Sequence, residues 1–403
     1  MITLVFLTFL LQVPLGGYLR FETYLRADSV RTIHKLASTL QMSTSFEKHN
    51  FSGSGIFNFI FDRVSDEKFT VRPIEAYLKF SKGDFDFTLG KKIITWGTGA
   101  YLSPSDLVNP WDFSYLYADL EEFREGLESF ILDYYRGNSF LEIGFIPLMR
   151  PNQYPIPEAF SLLEMAPGET TVVHMDPLHS DIPEKKQENG EYYLRVMSSQ
   201  GPVDLMAFYF KGYDRDPDLS IKYIWTPQNL SPFPDTMNIL LKYNPIQALG
   251  GNFSWIISPY EIHGDFAYIE TEDREGTDPM IKNPYFFGAI GFGRSFLEDR
   301  LSFSLDFLLK SIFNFQEKVN PEERYISDEA RRLNFQYEKE MPFIAFHVSF
   351  LNKSEIWRLE SMGIYDVKAK EQFFINSFTY SWADGVNLRL GAILSGKKGK
   401  SPF

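Results

Sequence analysis

From Tyr18 onward, hydrophobic and polar side chains alternate with a period of two, the mark of strands whose two faces meet different surroundings. Leu19, Phe21 and Leu25 fall on one side of 18–27, and Arg20, Glu22 and Arg26 on the other. Leu301, Phe303, Leu305, Phe307 and Leu309 alternate with Ser302, Ser304, Asp306 and Lys310. No long stretch keeps the 3.6-residue period of a helix. About twenty segments read as strands. They are 18–27, 31–44, 54–63, 69–80, 84–96, 126–136, 139–149, 191–199, 202–213, 219–226, 236–244, 248–257, 259–270, 283–295, 299–313, 331–339, 341–351, 355–367, 370–382 and 385–396. Many approach the ~9–11 residues that a tilted strand needs to cross a bilayer, and exceed the ~5–6 usual in soluble proteins.

The connections carry a second signal. The long ones, 97–125, 150–190, 271–282 and 314–330, all follow odd-numbered segments. Those after even segments are mostly very short, such as Gly137-Asn138 and Gln200-Gly201, with 45–53 and 227–235 as exceptions. In an up-and-down antiparallel sheet, odd and even connections lie at opposite ends. One rim therefore has tight turns and the other long loops, as in an outer-membrane barrel with periplasmic turns and extracellular loops. Such a barrel turns its apolar face to lipid and keeps Arg20, Glu22, Arg26, Glu75, Lys79, Asp133 and Glu142 in a wet lumen. Closure satisfies every backbone polar group where the solvent offers no hydrogen bonds.

Composition narrows the alternatives. The 403 residues contain no Cys, which removes disulfide scaffolds, thiolate metal sites and cysteine nucleophiles. A net charge of −13 argues against a nucleic-acid partner. After Gly17, the longest charge-free run, Tyr243–Tyr260, is interrupted by Pro, Gly and Asn and cannot be a spanning helix. Met1–Gly17 is uncharged and ends in Pro-Leu-Gly-Gly. It reads as a secretory signal peptide cut near Gly16 or Gly17, although a basic start and an A-x-A site are missing. The plainer alternative is a buried first strand or helix. Residues 18–403 then form a single barrel domain.

One stretch has the character of a motif. Gly83–Pro110 reads GDFDFTLGKKIITWGTGAYLSPSDLVNP, followed by Trp111-Asp112. Gly90, Lys91, Lys92, Trp96, Gly97, Asp106, Asn109, Pro110 and Asp112 match a Gly–basic strand end closing on Trp-Gly, then an Asn-Pro loop with Asp. This run, with 125–135 and Phe145-Ile-Pro through Arg150-Pro, resembles porin-like outer-membrane β-barrel families of Gram-negative bacteria. The resemblance covers roughly 83–157 and implies place and architecture more than chemistry. Two placements of the 97–125 loop remain open. Folded inward, it would line a constriction with Lys92, Trp96, Asp106, Asn109, Trp111 and Asp112, and charge and width there would select solutes. Capping the outer rim is the plainer placement, with Trp96 in an interfacial belt.

Other candidate chemistry is thin. His174, Asp176, His179 and Asp181 offer metal-ligand types in a Pro-rich loop without a recognised spacing. Asp214, Asp216 and Asp218 form a D-x-D-x-D run, but the Gly and distant Glu of a calcium loop are absent. No phosphate-binding Gly-Lys-Ser/Thr and no G-x-S-x-G elbow occur. His263 or His347 could join a triad assembled from separate strands, which spacing cannot detect. Gly396–Pro402 reads as loop before the terminal Phe403. Either 385–396 closes the barrel, or one more strand belongs to it. The expectation is an all-β, antiparallel up-and-down transmembrane β-barrel of about 18 strands (16–20). Its role would be passage of small hydrophilic solutes, with no enzyme activity, cofactor or metal. Its partners would be outer-membrane lipid, those solutes and, as porins often form trimers, further copies of itself. The rivals are a barrel enzyme or assembly factor, and a secreted soluble all-β glycan binder.

Overall fold

The computed structural model describes all residues except 1–14, 26–32, 66, 98–102, 114–119, 154–158, 167–168, 225–235, 317–326, 329, 333, 384–385 and 397–403. The strands are β1 Leu15–Leu25, β2 Ile33–Lys48, β3 Phe51–Asp62, β4 Phe69–Lys82, β5 Phe85–Lys92, β6 Leu127–Arg136 and β7 Ser139–Ile146. There follow β8 Ala159–Ala166, β9 Glu169–Asp181, β10 Glu191–Gln200, β11 Val203–Tyr213, β12 Asp218–Ile224, β13 Thr236–Lys242 and β14 Pro245–Ile257. The last are β15 Tyr260–Glu270, β16 Tyr285–Phe296, β17 Leu301–Ile312, β18 Glu340–Leu351, β19 Trp357–Asp366, β20 Glu371–Ala383 and β21 Val386–Gly396. Seventeen belong to one sheet, and β12, β13, β9 and β8 form a second. Among the described residues no helix is long and apolar enough to cross a membrane.

The first compact unit comprises Met1–Thr95, Val108–Pro155 and Lys185–Leu194. In it β1 to β7 pair antiparallel, each with its sequence neighbour. Opposite partners share a face, so the registers Tyr18↔Gln41, Gln41↔Asn58 and Asn58↔Arg72 trace one polar row across four strands. A register shift between Ile56 and Phe57 keeps Glu75 and Lys79 on that same face. The burial is inverted relative to a soluble protein: Phe87 is 49% exposed and Leu89 53%, whereas the adjacent Thr88 is 3% exposed. Apolar side chains outward and polar ones inward is the arrangement of a sheet solvated by lipid.

The second unit comprises Trp96–Leu107, Ile156–Glu184 and Arg195–Phe403. Its strands β11, β14 and β15 to β21 form another antiparallel succession. The outward row of β17 is Leu301, Phe303, Leu305, Phe307 and Leu309, and Asp306 and Lys310 are buried on the inner face.

Three departures from the sequence pattern concern this unit. Segments 219–226 and 236–244 are strands, β12 and β13, but they join the small sheet, where β13 runs parallel to β9. The 150–190 connection carries strands of its own, β8 and β9. Residues 331–339 are not a strand. They turn through Phe335, whose φ is 54°, and Tyr337 packs with Leu308, Met341, Phe343 and Ala345. Alternation there reflects burial against a wall, not membership of it. With these changes the connections after even-numbered wall strands become uniformly short: 49–50, 83–84, 137–138, 201–202, 258–259, 297–300, 352–356 and 384–385. Gly83, Gly137 and Gly201 supply left-handed backbone, with φ of 60°, 58° and 61°, where the turns need it.

Candidate functional site: the connection between β5 and β6

Near the end of β5 Gly90 takes a φ of 131°, and after Lys92 the chain leaves the sheet. Asn109 then takes the place of a strand neighbour. Its Nδ2 donates to Ile94 O at 2.5 Å, and its Oδ1 accepts from Ile94 N at 2.9 Å. An amide side chain carries one donor and one acceptor side, so it can copy a ladder rung. Beyond it, Asp112 N donates to Phe123 O at 2.7 Å and Glu125 N to Pro110 O at 2.9 Å, folding 110–125 back on itself. Trp111 stacks on Phe113 at 5.9 Å and carries the Arg124 guanidinium over its ring at 4.7 Å.

Two arginines of the polar face hold this fold-back in the first unit. Arg72 on β4 pairs with Glu125 at 2.9 Å and with Asp112 at 3.2 Å, all three side chains being buried. Arg20 on β1 grips Glu122 with two donors, at 2.6 and 2.9 Å. Arg20 also lies 3.2 Å from Glu22, which Lys35 meets at 3.0 Å. Guanidinium forks suit such bidentate contacts. Farther along the same face, Lys79 pairs with Asp86 at 2.5 Å, and Asp86, Asp133 and Glu142 stand opposite one another in register. Lys92 lies 5.6 Å from the Tyr77 ring. Arg26 is outside the described residues.

The remaining predicted positions belong to the second unit. Trp96 is buried against Phe208, ring to ring at 4.8 Å, with Arg195 at 6.0 Å. Asp106 closes a turn through its backbone N–H to Ser103 O at 3.0 Å. Asp265, on the inner face of β15, receives the Ser103 hydroxyl, Ser105 N at 3.1 Å and Ser105 Oγ at 3.0 Å.

Other sequence-level candidates resolve differently. The Asp214–Asp218 run surrounds a lysine: Lys282 Nζ lies 3.0 Å from Asp214 and 3.3 Å from Asp218, and donates to Asp216 O at 2.8 Å. Burial alone would lower Lys282, but Asp214 and Asp218 outweigh it and hold the ammonium above the ordinary lysine range. Among the described residues no group of side chains could hold a metal ion, and the His174 and His179 side chains lie outside them. His263 meets Asp306 at 2.6 Å, yet the Ser304 hydroxyl donates to Asp306 at 3.3 Å. A hydrolytic relay requires the hydroxyl on the imidazole.

Sequence reading did not find Arg72, Glu122, Glu125, Asp265 or Lys282. Their only signal was an acidic run in a loop, Glu121-Glu122 and Glu125, beside arginines placed singly on strands far away.

No protein-family model and no curated protein matches the chain. Among solved structures, OccAB4 of Acinetobacter baumannii is 10% identical over 95% of this chain and 91% of its own, with a TM-score of 0.50. OmpT, an outer membrane protein of Vibrio cholerae, is 9% identical over 96% and 93%, at a TM-score of 0.46. The outer membrane channel DcaP of A. baumannii is 10% identical over 95% and 97%, at 0.43. At such identities a likeness speaks for fold alone, and the OccAB4 score supports it. Strand order, connection lengths, outward apolar faces and this likeness agree: the chain has the fold of the porin-like, antiparallel up-and-down transmembrane β-barrels.

Proposed function

We propose that the chain is an outer-membrane channel for small hydrophilic solutes, without enzyme activity, and that the β5–β6 connection sets its aperture. The observation that carries this reading is the double anchoring of that connection. Glu122 holds Arg20 on β1, and Asp112 and Glu125 hold Arg72 on β4. Both arginines lie on the polar face, which in a barrel is the lumen. A segment tied to two well-separated inner strands lies across that face and not above the rim. Asn109, Trp111 and Asp112 are residues through which that segment is built. The Ser304 hydroxyl on Asp306 favours a structural role for the His263 pair.

Planar-bilayer recording tests this. Purified protein is expected to give discrete conductance steps, and Arg20→Ala with Arg72→Ala larger ones. Wild-type protein that inserts but does not conduct would remove the channel. An unchanged step in the double variant, with the loop shown to be released by new protease cleavage within 98–122, would remove the aperture role.

A further inference from the structure

The outward face of the second unit carries a cation where lipid would meet it. Among the described residues of the wall strands from β11 to β21, the charged side chains on that face are Lys211, Glu270, Glu340 and Arg294. The first three stand at the long-loop ends of their strands. Arg294 stands toward the short-turn rim, two residues before β16 ends at Phe296. That is roughly 7 Å of strand. An arginine on the lipid face is costly at the midplane, and the cost falls away toward the interface. The rim of short turns is the periplasmic one in such a barrel.

Aromatic rings surround this cation. Its guanidinium carbon lies 4.6 Å from the centre of the Tyr260 ring and 4.3 Å from that of Phe296. Phe292 precedes it by two on the same face, 5.5 Å from the Tyr260 ring, and Phe303 is its partner on β17. Arg294 Nη1 donates to the Tyr260 hydroxyl at 2.9 Å, which leaves the tyrosine its own O–H to donate. Rings attract the charge but do not satisfy its hydrogen bonds. A guanidinium has five N–H donors, and among the described residues no carboxylate pairs with this one. Its Nε is buried without a hydrogen-bond partner.

We infer that Arg294 and the Tyr260 hydroxyl form a binding site for the phosphate of one phospholipid of the periplasmic leaflet, collared by Phe292, Phe296 and Phe303. This is a single headgroup held by its charge, distinct from the hydrocarbon that bathes the whole face. The occupant follows from depth and chemistry. A phosphate is the acceptor found at the level of the strand ends, it carries the complementary charge, and a guanidinium fork suits it. Acyl chains of the same molecule would lie along the phenylalanine rings farther up the wall.

The inference rests on the barrel spanning an outer membrane and not on the channel reading. Native mass spectrometry of the detergent-purified protein, titrated with dioleoyl phosphatidylglycerol, tests it. Dioleoyl glycerol, which lacks the phosphate, is the control lipid, and Lys211→Gln is the control for an outward cation at the opposite rim. The wild type is expected to retain one phosphatidylglycerol about tenfold more tightly than Arg294→Gln, the size of a charge-assisted hydrogen bond. Tyr260→Phe should weaken retention by a smaller factor, and Lys211→Gln should leave it unchanged. Dioleoyl glycerol should bind wild type and Arg294→Gln alike. Equal retention of phosphatidylglycerol by wild type and Arg294→Gln, an equal loss in Lys211→Gln, or complete displacement of the lipid by inorganic phosphate would overturn the site. Should Arg294→Gln not fold, the wild type decides: a preference for phosphatidylglycerol over dioleoyl glycerol that Tyr260→Phe weakens supports the site, and equal retention of the two lipids overturns it. Failure of the barrel itself is distinct, and would appear as loss of heat-modifiable migration in the wild type.

Discussion

The inner faces of the two units are filled by different physics. On β1 to β7 the face is charged, and what lies on it is tied by ion pairs: Arg20 with Glu122, and Arg72 with Asp112 and Glu125. On β16 to β19 the inner face carries an apolar patch beside its polar residues. Phe287, Ala289, Leu308, Phe343, Ala345 and Ile364 face inward there, and Phe335 and Tyr337 pack onto them. Polar contacts pin that second filling as well: Lys310 Nζ donates to Phe335 O at 3.0 Å, the Tyr337 hydroxyl donates to Asp366, and Gln336 pairs to Asn283 through bonds of 2.8 and 2.9 Å. An inner wall is not polar by rule. It matches whatever covers it, and a charged cover is releasable by a single substitution in a way that an apolar one is not.

The largest expected effect tests the charged side. Arg72→Ala leaves Asp112 and Glu125 buried without their cation, and removing one partner of a buried pair costs about 3–5 kcal/mol. Urea unfolding in detergent should show it, together with new protease sensitivity within the β5–β6 connection. Lys282→Met should cost about 3 kcal/mol for the same reason. Lys282 has a folded pKa above its unfolded value, so its stabilisation is complete below about pH 10 and lost as pH rises through the folded value. The stability gap between wild type and Lys282→Met should therefore stay level from neutral pH to about pH 10 and shrink above it. A gap that closed on acidification alone would contradict that sign.

On the apolar side, Met341→Ala removes a fully buried side chain and should cost about 2–3 kcal/mol, equally at low and high salt. A strong salt dependence would mean that this filling is not apolar in nature. The smallest effect belongs to Glu122→Gln, whose pair with Arg20 is about a quarter exposed. A loss of about 0.5–1 kcal/mol that fades at high salt is expected, with noisier open-channel current as the more sensitive reading.

Much of the wall was legible beforehand because alternation reports a difference between two faces, and every spanning strand has one. Leu301–Ile312 and Glu340–Leu351 read off directly. The failure at 331–339 has the same origin. Phe335 and Tyr337 alternate with Asn334 and Gln336, and a segment pressed against a wall also has two faces. Segments 219–226 and 236–244 alternate equally well in a small separate sheet, so period alone could not tell which sheet they joined. For the connection after β5, the residues that build it were visible as a motif, but their partners were not. Nothing adjacent to Glu122 or Glu125 in the chain points to Arg20 or Arg72.

The order of residues alone therefore determined strand identity, the in–out polarity of the wall and the asymmetry of its two rims. Those depend on neighbours two positions apart and on gap lengths, which are local quantities. The anchoring of the β5–β6 connection, the Lys282 cradle and the filling around Tyr337 were decided only by the folded chain. Each joins groups far apart in sequence, and a distance in space between such groups is set by register and strand count, which no local pattern encodes.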